Sequence, residues 1–78
     1  MEFINSAIGA VGDGNVSLLF EILLTTTEIQ EIETRYHLLL LLATGSSQRE
    51  AAAAAGTSLY KATRAANLLR EYGRENVL

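Results

Sequence analysis

Apolar residues recur at Phe3, Ile4, Ala7, Ile8 and Val11, the three-and-four spacing of one face of an amphipathic helix. Gly12-Asp13-Gly14-Asn15 interrupts the pattern, and two glycines so close together predict a helix stop. Asn15 stands where it can cap the next helix, Val16 to Leu24. Only Ser17 and Glu21 are polar in that stretch, a pattern that predicts burial around most of the helix.

A longer helix follows. Thr25 and Glu28 have the spacing of a capping box, which predicts a start near Thr26. Glu31 and Arg35 stand at i,i+4 in the favoured order. Ile29, Ile32, Tyr36, Leu39 and Ala43 trace one stripe, yet Leu38 to Leu42 are five consecutive leucines that leave no polar side. Gly45 is a natural C-terminal stop. The same grammar then repeats: Ser47 and Glu50 make a second capping box, and Gly56 closes a helix of about two turns. Thr57 or Ser58 can cap a last helix from Leu59 to about Tyr72, before Gly73, and Arg74 to Leu78 reads as a frayed tail.

No strand pattern, internal repeat or long linker interrupts this series. The expected fold is all-α, with five short-to-medium helices and a C-terminal helix-turn-helix in one domain, residues 1–78. Residues 2–45 would supply the N-terminal helices and dimerisation, and residues 46–72 the helix-turn-helix. The five leucines sharpen this picture. A helix that is apolar all round needs cover on every side, and a chain of 78 residues buries little surface per residue. Two chains can provide the cover, so the leucines predict an intertwined homodimer with the long helix at its centre.

Composition excludes several classes. Hydrophobic residues make up 49% of the chain, too many for disorder. Cysteine is absent and His37 is the single histidine, which removes disulfide frameworks and makes a zinc site untenable. Asp13 lacks the further acidic residues of a calcium loop. No set of residues fills the roles of nucleophile, base and orienter, so the chain does not read as an enzyme. Glu28, Glu31 and Glu33 read as the solvated start of a helix. The N-terminus has no basic residue before Arg35, so no secretory leader is expected. The longest apolar run, Leu38 to Ala43, is far shorter than the roughly 18 residues of a spanning segment. A cytoplasmic protein with no membrane partner is the expectation.

Net charge is −3, but the two halves differ. In residues 1–46, Arg35 faces Glu2, Asp13, Glu21, Glu28, Glu31 and Glu33, for −5. In residues 47–78, Arg49, Lys61, Arg64, Arg70 and Arg74 face Glu50, Glu71 and Glu75, for +2. A polyanionic partner should meet the C-terminal half.

That half also carries the candidate chemistry. Two short helices joined by a glycine turn have helix-turn-helix spacing. Ala51, Ala52 and Ala55 can face Ala62 and Ala65, and small residues on both sides permit a close crossing. The outer face of the second helix is then Ser58, Tyr60, Lys61, Thr63, Arg64 and Asn67, with Arg70 at its end. Lysine and arginine can neutralise phosphates, while threonine, asparagine and arginine can donate to base edges. Arg49, Lys61 and Arg70 are the expected phosphate contacts; Tyr60, Thr63 and Arg64 are the expected base readers.

The segment from Thr34 to Arg70 resembles the tryptophan repressor family. The residues that carry the likeness are Thr34-Arg35, Gly45, Ser47-Gln48-Arg49-Glu50, Gly56, and Thr63-Arg64-Ala65-Ala66-Asn67-Leu68-Leu69-Arg70. Leu23 to Glu28 resembles the family's entry to its long helix, and Glu2 to Val11 part of its first helix. The resemblance implies an intertwined helical homodimer that binds a roughly palindromic operator in double-stranded DNA. It implies a recognition helix from Ser58 to Leu69, with Gln48 and Arg49 touching phosphates or base edges; the docking picture is that of the helix-turn-helix proteins among which the tryptophan repressor is counted. It further implies L-tryptophan as corepressor, held between Arg35 and Arg64, with Ile22, Leu24 and Thr25 aligned to the pocket.

Departures from the family pattern fall at that pocket. Ala65 stands in place of a glycine, Leu68 in place of a serine and Lys61 in place of a threonine. An added methyl and a lost polar partner both weaken an amino-acid site, and a third cation favours an anion over a zwitterion. One residue fewer separates Gly45 from Ser47 than in the family, and the family's last helix is largely absent. A second reading therefore stands beside the first: a helical dimerisation or adaptor module, or a simplified artificial sequence, on the same fold without operator binding.

Overall fold

The computed structural model describes residues 1–77, apart from the side chain of Asp13. The expectations placed on Leu78 and on the Asp13 side chain lie outside the described residues. Five α-helices are present among these residues, and no strand: α1 (Glu2–Val11), α2 (Val16–Leu23), α3 (Thr26–Ala43), α4 (Gln48–Ala55) and α5 (Leu59–Tyr72). Short 3₁₀ turns cover Asp13–Asn15 and Arg74–Asn76. The chain divides into two compact units, Met1–Gln30 and Glu31–Leu78.

In the N-terminal unit, α1 packs against α2 across the turn that Gly12 opens. Asn15 does not cap α2 with its side chain; its amide donates instead to the Val11 carbonyl, 2.9 Å away. The 3₁₀ turn directs that side chain back to the end of α1, whose last carbonyls lack helical partners. The Thr25 capping box forms as its spacing predicts. The Thr25 N–H donates to Glu28 Oε1 at 2.9 Å, and the Glu28 N–H donates to Thr25 Oγ1 at 3.1 Å. The burial expected of α2 is not found within this chain. Neither α1 nor α2 holds a buried residue, and Phe3, Leu18, Ile22 and Leu23 are each more than half exposed. Two short helices in one layer can cover each other only along their line of contact.

The C-terminal unit holds the core. Leu38, Leu42 and Ala43 of α3 meet Ala51 and Ala52 of α4 and Ala62, Ala65 and Leu69 of α5. The stripe predicted for α3 is therefore displaced. Ala43 is buried, but Ile32 and Tyr36 are exposed, and the buried positions are one residue round from the predicted Leu39. One residue turns a helix by about 100°. Five leucines in a row let any side of α3 become the core side, and α4 and α5 take the side that carries Leu38 and Leu42.

Helix α3 ends in a Schellman motif: the Ser46 N–H donates to the Leu41 carbonyl at 3.0 Å, and the Gly45 N–H to Leu42 at 3.2 Å. Gly45 makes this possible at φ +108°, a conformation costly for any residue with a Cβ. The expected frayed tail is ordered for one turn, with the Val77 N–H donating to the Arg74 carbonyl at 3.0 Å and the Asn76 amide donating to the Tyr72 carbonyl.

Candidate nucleic-acid interface and adjoining pocket

Helix α4 is short, and its sequence holds both ends. Ser47 Oγ accepts from the Glu50 N–H at 3.1 Å, and Glu50 Oε1 accepts from the Ser47 N–H at 2.9 Å. These bonds hold the Glu50 carboxyl below the usual glutamate range, the Ser47 N–H contributing most. At the other end Gly56 adopts the left-handed conformation (φ 66°, ψ 39°). Its N–H bonds to the Ala53 carbonyl and the Thr57 N–H to Ala52, a second Schellman motif that sets the turn into α5. Of the two candidate caps for α5, Ser58 serves: its Oγ accepts from the Lys61 N–H at 3.2 Å.

The alanine run packs as its spacing predicts. Ala51 and Ala62 are wholly buried, Ala52 and Ala65 nearly so, and Ala55 half-buried. Because one side of α5 is filled by methyl groups against α4, its polar side turns outward. Ser58, Tyr60, Lys61, Thr63, Arg64, Asn67 and Arg70 are all exposed. Arg49 is exposed on the first turn of α4, and Gln48 is half-buried.

Two contacts on this face have no precedent in local spacing. Thr63 Oγ1 donates to Gln48 Oε1 at 2.7 Å, joining α5 to the start of α4. Lys61 Nζ lies 3.1 Å from Glu31 Oε1, which also receives Arg35 at 3.5 Å. The hydrogen bond and charge of Lys61, with a smaller contribution from Arg35, hold the Glu31 carboxyl below its ordinary range.

On the inner side of Lys61 a cavity of about 360 Å³ opens between α3 and α5. Arg35, Lys61 and Arg64 line it together with Leu38, Leu39, Ala65, Leu68 and Tyr60. Arg35 and Arg64 are thus brought together. Ile22, Leu24 and Thr25 belong to the N-terminal unit, where Ile22 is strongly exposed, Leu24 half-buried and Thr25 engaged with Glu28. A second cavity of about 370 Å³ lies at the start of α4, lined in part by Ser46, Gln48, Arg70 and Arg74. Arg74, in the segment that reads as a tail, joins Arg70 at this cavity; it lies beyond the break at Gly73, so no helical spacing in the sequence pairs the two.

The fold and this face define an all-α helix-turn-helix protein. The chain matches the family model of the Trp repressor protein over residues 2–76 and belongs to that family. Comparison with curated proteins and with solved structures returns no match. The family is one of DNA-binding transcriptional regulators rather than enzymes. Among the described residues no helix is long and apolar enough to cross a membrane.

Proposed function

We propose that the chain is a sequence-specific operator-binding regulator that works as a homodimer, with α5 as its recognition helix. The observation that carries this reading is the α4–α5 crossing through buried alanines, which leaves every polar residue from Ser58 to Arg70 on an open face. Arg49, Lys61 and Arg70 contact phosphates; Tyr60, Thr63 and Arg64 face base edges, and Gln48 and Asn67 flank them. A dimer presents two such helices, so the operator is roughly palindromic, with half-sites about one helical turn apart. The exposed Phe3, Leu18, Ile22 and Leu23 support the dimer, because an apolar surface of this kind is characteristic of an interface. The cavity that joins Arg35 to Arg64 is the effector site in this reading, and L-tryptophan, the ligand suggested by family likeness, is a candidate that Lys61, Ala65 and Leu68 disfavour.

Binding to a palindromic duplex, titrated at several salt concentrations, tests the reading. Affinity should fall steeply with salt, by close to one power of salt concentration for each phosphate neutralised. No binding at low salt, or a slope near zero, overturns it and favours an adaptor module. Sedimentation equilibrium at micromolar concentration tests the dimer; a stably folded monomer refutes it.

A further inference from the structure

We propose that the second cavity, at the start of α4, is a seat for a phosphate group, held by Arg70 and Arg74 with the Gln48 amide as a third donor. The inference goes beyond the operator-binding reading, because it adds a site and gives Arg74 and Thr63 roles in it. Arg70 and Arg74 line one cavity of about 370 Å³, and neither makes an ion pair among the described residues. Two guanidiniums that share a cavity repel each other, and an anion between them replaces that repulsion with attraction. Among the described residues no carboxylate lines the cavity to supply the charge from within the chain. Glu50, beside Ser47 in the capping box, is not one of the lining residues and is bonded to the Ser47 N–H. Guanidinium matches the oxygens of phosphate through paired N–H bonds.

The neutral polar groups agree with the charged ones. A glutamine amide can both accept and donate, but Thr63 Oγ1 donates to Gln48 Oε1 at 2.7 Å, which engages the oxygen and leaves the NH₂ to offer. Ser47 Oγ accepts from the Glu50 N–H, so its own proton is free to donate. The helix crossing sets the bond to Thr63. Gln48 opens α4, whose start the capping box holds, and Thr63 follows Ala62, which is wholly buried against α4. Thr63 is therefore a positioning residue that acts on the phosphate through Gln48. Leu42, Ala66 and Leu69 also line the cavity, so it suits a phosphate ester with its carbon framework better than a bare ion. The backbone of operator DNA and a free sugar phosphate both supply that group.

Two arms test the seat and separate these sources. In the first, the full chain is titrated by fluorescence anisotropy, across a salt series, with an operator selected from a random duplex pool. Arg74→Gln should weaken binding several-fold at low salt and make the slope of log K against log salt shallower by about 0.9, while Arg74→Lys should keep the slope. Thr63→Val should weaken binding a few-fold, by the same factor on operators altered base by base, since a phosphate contact carries no sequence. Thr63→Ser, which keeps the hydroxyl, should restore it, and circular dichroism controls for folding. In the second arm, ribose 5-phosphate is titrated into the DNA-free chain at constant ionic strength, with ribose as control. NMR reads the Gln48 side-chain amide and the Arg74 Nε–H. The shallower slope without shifts assigns the seat to the operator backbone. Saturable shifts with ribose 5-phosphate, absent with ribose and lost in Arg74→Gln, assign it to a free ester. A wild-type slope in Arg74→Gln together with no saturable shift overturns the seat and leaves the operator reading standing. No operator binding by the wild type overturns that reading instead, and the ribose 5-phosphate titration then decides the seat alone. Thr63→Val indistinguishable from wild type in both arms removes Thr63 from the site.

Discussion

The ammonium of Lys61 rests 3.1 Å from the carboxylate of Glu31, thirty residues away. The pair ties the polar face of α5 to α3, and it engages one of the cations proposed above to contact phosphate. Both side chains are partly exposed, 44% and 40%, so water screens the pair and its hold is weak.

Replacing Glu31 by Gln frees Lys61 for a phosphate and removes a negative charge close to it. Operator affinity should rise a few-fold at low salt, and the salt dependence should steepen by about one phosphate contact, close to 0.9 in the slope of log K against log salt. Fluorescence anisotropy across a salt series reads both. An unchanged slope means that Lys61 makes no phosphate contact.

Gly56→Ala probes the turn between α4 and α5. A Cβ at this position meets no atom within 4 Å, so the substitution is free of collision and the cost is that of the left-handed backbone alone, φ +66°. The expected loss is about 1–2 kcal/mol, measured by urea denaturation, with weaker operator binding because the turn sets the angle of α5.

Ala62 is fully buried against α4. Ala62→Leu must either push the two helices apart or strain their side chains, at a cost of about 1–3 kcal/mol. Ala53 is exposed on the alanine run of α4, so Ala53→Leu should change stability by less than about 0.5 kcal/mol. Thermal melts of the two variants separate the packing requirement from the mere presence of alanine.

Acid should loosen both capping boxes. Hydrogen bonds from Thr25 and Ser47 hold the Glu28 and Glu50 carboxyls below their ordinary range. A depressed carboxyl contributes its stability fully above the unfolded pKa and loses it as pH falls through the folded one. Urea midpoints should therefore hold from pH 7 to about 5 and decline below about 4. A Glu28→Gln, Glu50→Gln double variant should show a shallower decline, and an identical decline would remove the capping carboxylates as its cause.

Ser47→Ala should destabilise α4 by about 1 kcal/mol through the lost acceptor at its N-terminus. Because α4 carries Arg49 and holds Gln48 beside Thr63, operator binding should weaken along with it. Native-state hydrogen exchange of the α4 amides reads the local effect directly.

What the sequence determined by itself is everything that depends on neighbours within a few positions. Thr25 with Glu28, Ser47 with Glu50, Gly45 and Gly56 mark the boundaries of α3 and α4 because caps and left-handed stops are local chemistry. The alanine spacing of α4 and α5 announced their crossing, and so left the face from Ser58 to Arg70 as the polar one. Where several local outcomes had nearly equal energy, the tertiary structure decided. Asn15 could cap α2 or reach back to Val11, and it reaches back. Five leucines offered every side of α3 to a core, and contact with α4 and α5 selected Leu38 and Leu42. The pairs Lys61–Glu31 and Thr63–Gln48, and the cavity that gathers Arg35, Lys61 and Arg64, required residues far apart in sequence to be brought together. Periodicity carries no information about such meetings, because it describes one helix at a time, whereas the chemistry of the site depends on how α3, α4 and α5 are packed.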